Sequence, residues 1–168
     1  MLKSIRRWKY LLLGLLLAGL GTAWPRLTHP TPTQPLAFPH ALHLRAGLHC
    51  TDCHRYAAEA ASAGLPSVRE CALCHARLRT QTPLVRKALA YAQRGIEIPW
   101  RRVYRYPASA HLRFPHNMHI AAGFACSTCH GDMRGVTTAR LWKPLNMGVC
   151  ITCHRQYGAK TECQNCHD

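Results

Sequence analysis

The stretch Phe114–His130, FPHNMHIAAGFACSTCH, decides how this chain is read. It has a twin 76 positions earlier: Phe38–His54, FPHALHLRAGLHCTDCH, keeps the frame F-P-H-x-x-H-x-x-A-G-x-x-C-x-x-C-H without a gap. Both copies close on C-x-x-C-H, and that pentapeptide recurs at Cys71–His75, Cys150–His154 and Cys163–His167. The five motifs use all ten cysteines, Cys50, Cys53, Cys71, Cys74, Cys126, Cys129, Cys150, Cys153, Cys163 and Cys166. No thiol is left for a disulfide, a nucleophile or a lipid anchor.

Two chemistries use paired cysteines at this spacing. Structural zinc takes four thiolate or imidazole ligands in a tetrahedron, and has no use for a histidine after every second cysteine. Covalent c-type haem needs that arrangement: two sulfurs span the vinyl groups on one ring edge, and the next histidine supplies the proximal nitrogen to iron. With twelve histidines in 168 residues, five successive coincidences have a probability on the order of 10⁻⁶. The sequence therefore predicts five haem c groups, with His54, His75, His130, His154 and His167 as proximal ligands.

Five porphyrins shared among so few residues supply much of the apolar core themselves. The expected fold class is mainly α and irregular, a haem-packed multihaem cytochrome c with little regular secondary structure and an N-terminal transmembrane helix. The formal charge of +15 falls to about +5 once ten haem propionates are counted. Such a charge elsewhere suggests nucleic acid, but an exported haem protein meets none; the arginines are expected to face propionates, acidic partners or anionic lipid.

Along the chain, residues 1–24 carry an export signature. Lys3, Arg6, Arg7 and Lys9 precede the apolar run Leu11–Ala23, flanked by Trp8, Tyr10 and Trp24. The run reads as a retained anchor, with cleavage near Gly21 or Ala23 as the alternative. Residues 25–37 are proline-rich and read as a stiff tether, in which His29 is a surface histidine. The haem domain then covers 38–168, with a two-haem part at 38–75, a linker at 76–110 and a three-haem part at 111–168. Within it, Arg55–Ala63 is expected to be a two-turn helix stopped at Gly64–Pro66, and Leu84–Arg94 a helix ended by Gly95. The aromatic, arginine-rich piece Ile96–Pro107 has strand-favouring composition; it is either a linker packing on porphyrin edges or a docking surface.

Sixth ligands come next. His40 and His43 in the first repeat match His116 and His119 in the second. Histidines three apart on a helix share one face, while axial ligands approach one iron from opposite sides. Each H-x-x-H pair should therefore serve two different haems. One distal position then remains, for which Met147, His111 and His49 are the candidates. The last motif ends one residue before the final Asp168, so its distal ligand is expected from earlier in the chain. A thioether ligand would raise that haem's potential.

The repeat frame resembles class III multihaem cytochromes c. The resemblance implies that His40 caps the haem at Cys50/Cys53 and His116 that at Cys126/Cys129, with His43 and His119 reaching elsewhere. Three further features are similar to the membrane-anchored pentahaem cytochrome subunit of alternative complex III: the N-terminal apolar segment, IPWRRVY at Ile98–Tyr104, and PLNMGVCITCHR at Pro144–Arg155. That resemblance implies an electron-carrying subunit, without catalytic residues of its own, of a quinol-oxidising respiratory complex at the bacterial cytoplasmic membrane, its haem domain facing the periplasm. Its partners would be integral membrane quinol-oxidising subunits, an iron-sulfur or molybdopterin-type subunit and a cytochrome c acceptor. The alternatives are a free periplasmic multihaem carrier and a multihaem reductase with one open haem.

Overall fold

The computed structural model describes residues 31–168, preceded by Trp8, Tyr10, Leu12 and Gly14, which are helical. The rest of the expected membrane segment and the first part of the tether, His29 included, lie outside the described residues. Among those described, no helix is long and apolar enough to cross a membrane. The chain forms two units, Met1–Thr31 and Pro32–Asp168, and the second holds every element below.

Seven short α-helices carry the second unit: α1 His40–Arg45, α2 Cys50–Cys53, α3 Val68–His75, α4 Pro83–Gln93, α5 His116–Ala121, α6 Cys126–His130 and α7 Met147–Gln156. Single 3₁₀ turns at Arg55–Ala58, Ala108–Ala110, Met133–Gly135 and Cys163–Asn165 complete them. No strand occurs among the described residues; one isolated antiparallel bridge joins Leu112 to His167. Helices this short are marginal in water by themselves, so tertiary contacts must hold them. Pro39 and Pro115 begin α1 and α5, and Gly47 (φ 91°) and Gly123 (φ 86°) turn the chain after them, so the two repeats fold alike.

The polypeptide core is small. Leu36, Val68 and Ile98 form a cluster, with Ala88, Tyr91, Ala92 and Trp100 packed around it. Outside that cluster only Ala41, Ala57 and Val85 are buried apolar residues among those described. α3 packs on α4. Its N-terminus is held by a capping box, Ser67 with Glu70, and by Glu97, whose carboxylate accepts the Val68 amide at 2.8 Å; both acids oppose the positive end of the helix. Leu36 explains why residues 34–37, read as the end of the tether, lie on the domain: the Gln34 amide also pairs with the Arg101 backbone at 2.6 and 3.1 Å.

The repeats exchange contacts. α1 of the first repeat packs on the turn Met133–Gly135 that follows the second repeat's motif, and the Ala41 amide donates to the Val136 carbonyl at 2.9 Å. α5 of the second repeat packs on the turn Arg55–Ala58 that follows the first motif, with the His116 and Asn117 amides donating to the Ala61 and Ala60 carbonyls.

That exchange corrects one expectation. Arg55–Ala63 is not a two-turn helix but one 3₁₀ turn ending at Ala58. Beyond that turn the Ala60 and Ala61 carbonyls accept the α5 amides of Asn117 and His116. Gly64, at φ 72°, folds back beneath the Tyr56 ring, where an added Cβ would stand 2.9 Å from Cδ2. α4 matches the helix expected before Gly95, within a residue at either end. Ile96–Pro107 is extended but pairs with no strand, because its side chains are engaged one by one: Ile98 is buried, and the Tyr104 and Tyr106 hydroxyls donate to the Cys129 and Leu145 carbonyls at 3.0 and 2.9 Å. These contacts fit its reading as a linker.

Candidate haem sites

Each C-x-x-C-H motif lies on a helical turn: in α2, α3, α6 and α7, and in the 3₁₀ turn at Cys163–Asn165. One such turn puts residues three apart on the same side, so both sulfurs of each motif can reach one ring edge. None of the ten is joined in a disulfide. Burial pushes the pKa of Cys50, Cys53, Cys71, Cys129 and Cys150 up, with a neighbouring cysteine among the further causes for each. Among the described residues no three or more cysteine, histidine or acidic side chains converge on a point, as a zinc cage would require.

The histidines are pre-oriented. Nδ1 of His54 donates to the Gly64 carbonyl (2.8 Å), His75 to Leu78 (3.1 Å), His154 to Lys160 (2.6 Å) and His167 to Ala110 (2.7 Å). On the repeat helices His43 donates to Pro39 (3.0 Å), His116 to Ala61 (2.8 Å) and His119 to Pro115 (2.9 Å). A carbonyl only accepts, so the proton sits on Nδ1 and the Nε2 lone pair is left for a metal.

Several rings also face one another. The His43 and His75 centroids lie 6.0 Å apart, His116 and His130 6.4 Å, and His119 and His154 6.1 Å. A metal–imidazole nitrogen bond is about 2.0 Å and the ring centre lies about 1.1 Å beyond, so two imidazoles across one metal have centres about 6.2 Å apart. The inter-ring angles differ: 75° for His43/His75, 39° for His119/His154 and 8° for His116/His130. His40 is held below the usual imidazole range by burial and then by the nearby His54 and His43. Its Nδ1 is buried without a partner. Burial, then His116 and His54, likewise lower the pKa of His130. The donor set, paired sulfurs with imidazole rings whose centres lie 6.0–6.4 Å apart, fits c-type haem.

The three candidates for the remaining ligand are placed differently. Met147 begins α7, one turn before Cys150, and is 66% exposed. His49 turns outward beside Asp52, its side chain 84% exposed. His111 adopts a left-handed conformation (φ 43°) beside the last motif, where its carbonyl accepts the Asp168 amide. Among the described residues no ring faces His167 at the spacing seen above.

Sequence reasoning gave no role to Phe38 and Phe114. Each stacks on the second histidine of its repeat, His43 at 4.4 Å and His119 at 4.5 Å, and meets the first edge-on. Their place in the repeated frame was the available signal. Tyr104 was missed as well; its ring meets His130 edge-on at 5.1 Å while its hydroxyl holds the Cys129 carbonyl. The aromatic segment Ile96–Pro107 was singled out, but not this partner, since the contact spans 25 positions.

Repeated attachment turns joined to pre-oriented histidines are the arrangement that c-type haems require. Residues 112–168, which hold three of the motifs, match the family described as cytochrome c7 and related cytochrome c. The chain is also 34% identical over 110 residues to the protein named menaquinone reductase, multiheme cytochrome c subunit, of Nitratidesulfovibrio vulgaris (strain Hildenborough). The match covers 64% of this chain and 50% of that protein, so the chain spans about half the length of its curated relative.

Proposed function

We propose that the chain carries five haem c groups and serves as the electron-transfer subunit of a membrane-bound, quinone-reactive respiratory complex. Covalent haem supplies one-electron iron chemistry; the polypeptide sets spacing, axial ligands and burial. The observation that carries this reading is the set of facing histidines 6.0–6.4 Å apart.

In this scheme His54, His75, His130, His154 and His167 are the proximal ligands. His40 faces His54, His43 faces His75, His116 faces His130 and His119 faces His154. Met147 takes the fifth distal position; it lies a helical turn before Cys150, on the helix that leads into the last motif. His111 buttresses the His167 side instead. The Nδ1 bonds fix the imidazoles and raise their basicity.

The finer reading, from the resemblance to alternative complex III, is electron flow from a quinol-oxidising membrane partner, with an iron-sulfur or molybdopterin-type subunit, towards a periplasmic cytochrome c. Residues 1–24 anchor the chain, and the haem domain faces the periplasm. The similarity to a menaquinone reductase subunit favours a second reading, in which electrons flow towards the quinone. Haem mass spectrometry and redox-poised electron paramagnetic resonance (EPR) on the purified holoprotein test the proposal. Five attached haems, all low-spin, support it; fewer haems or a dominant high-spin, ligand-binding site refutes it. Midpoint potentials mostly above the quinone couple support quinol oxidation, and mostly below it support quinone reduction.

A further inference from the structure

The order in which the five attachment sites neighbour one another is not their order in the sequence. For brevity they are numbered from the N-terminus, site 1 at Cys50/Cys53 to site 5 at Cys163/Cys166.

Sites 1 and 2 share α1. That helix, which leads directly into the site 1 motif, presents His43 towards His75 of site 2, 6.0 Å from it centre to centre. Sites 3 and 4 share α5 in the same way, through His116 with His130 and His119 with His154. Two sites served by histidines three apart on one helix are direct neighbours. Site 5 joins site 4, since the Lys160 carbonyl, three residues before Cys163, holds the His154 imidazole at 2.6 Å.

The join between the repeats follows from their reciprocal packing. α1 lies on the turn after the site 3 motif, and α5 on the turn after the site 1 motif. The same exchange ties the backbones together, the Ala41 amide to the Val136 carbonyl and the His116 amide to the Ala61 carbonyl. The motifs of sites 1 and 3 are therefore neighbours.

Resting on the five-haem reading, we infer that the chain strings its attachment sites in the spatial order 2–1–3–4–5, with the two repeats joined where α1 and α5 pack on each other's turns. Sites 1 and 3, 76 residues apart in sequence, form the central junction. Sites 2 and 5 are the two ends. Each has a neighbour on one side only, so electrons enter and leave the chain there. The motif Cys71–His75, although early in sequence, is a terminus, and residues 76–110 cross back past the junction to begin the second repeat.

Anomalous scattering at the iron edge from crystals of the holoprotein tests this. The irons of sites 1 and 3 are expected to be adjacent, and those of sites 2 and 5 the most widely separated pair. Adjacency of site 2 to site 3, or of site 5 to site 1, overturns the order. A solution test uses Cys71→Ala with Cys74→Ala, and separately Cys163→Ala with Cys166→Ala, each removing one end haem. The EPR signal of site 3, the near-parallel pair His116/His130, should keep its g values in both variants. A shift of that signal on removing either end overturns the inference. Haem counting by mass spectrometry separates the two levels: fewer than five haems in the parent protein refutes the functional reading, whereas five haems in another order refutes only the path.

Discussion

His119→Ala separates the two ligands that α5 supplies. The His119 ring lies 6.1 Å from His154, whereas His116, one turn earlier on the same helix, lies 6.4 Å from His130. Truncation removes the Nδ1 bond to Pro115 at 2.9 Å and the stack on Phe114 at 4.5 Å. The hydrogen bond is worth about 1 kcal/mol and the stack about 0.5–1.5 kcal/mol. The sum, about 2 kcal/mol, is small against the usual 5–15 kcal/mol of domain stability, and the haem stays attached through its cysteines. The variant should fold. The spectroscopic change is larger: the haem at Cys150/Cys153 becomes high-spin and, when reduced, binds one carbon monoxide per chain. EPR can tell which haem changes, because the angle between axial imidazole planes sets the low-spin g values. The signal of the 39° pair should vanish and that of the 8° pair remain. Loss of the near-parallel signal instead, or no carbon monoxide binding, refutes the assignment.

Gly131→Ala should cost more than about 2 kcal/mol in thermal or chemical unfolding. Gly131 has φ 73° and ψ −178°, a region nearly restricted to glycine that costs other residues about 1–3 kcal/mol, and its added Cβ would stand 2.5 Å from Cδ2 of Trp142; an unchanged transition would refute this. Tyr104→Phe removes the bond to the Cys129 carbonyl and the one received from the Trp142 amide. It should lower stability by about 1–2 kcal/mol and shift the g values of the near-parallel haem while leaving it low-spin, because Tyr104 also borders His130. Met147→Ala should turn one haem high-spin and abolish any methionine-to-iron charge-transfer band; unaltered spectra would return the fifth position to His111 or His49. The Asp132 carboxylate caps the turn Met133–Gly135, and hydrogen bonds from Arg134 hold its pKa below the usual carboxylate range. A lowered folded pKa stabilises the turn above the ordinary range and loses that stabilisation as pH falls through the lowered value. Hydrogen exchange at the Arg134 amide should therefore lose protection only in acid, and in Asp132→Asn should show no such pH step.

The sequence by itself determined the cofactor chemistry. Cys-x-x-Cys-His is a local arrangement in which one helical turn sets both sulfurs and the histidine, so five motifs could be read without any fold. The repeat likewise made His40, His43, His116 and His119 stand out, and Pro39, Gly47, Pro115 and Gly123 bounded their helices. Composition failed at Arg55–Ala63: its alanines favour helix, but the segment is a single turn on which α5 packs from 55 or more positions away. Tertiary structure alone decided which histidine faces which, the role of Tyr104, and the spatial order of the sites. Those depend on the first repeat's helix packing on the second repeat's turn, and the second's on the first. The energy of that exchange lies in pairs of residues far apart in the chain, and no local pattern encodes such pairs.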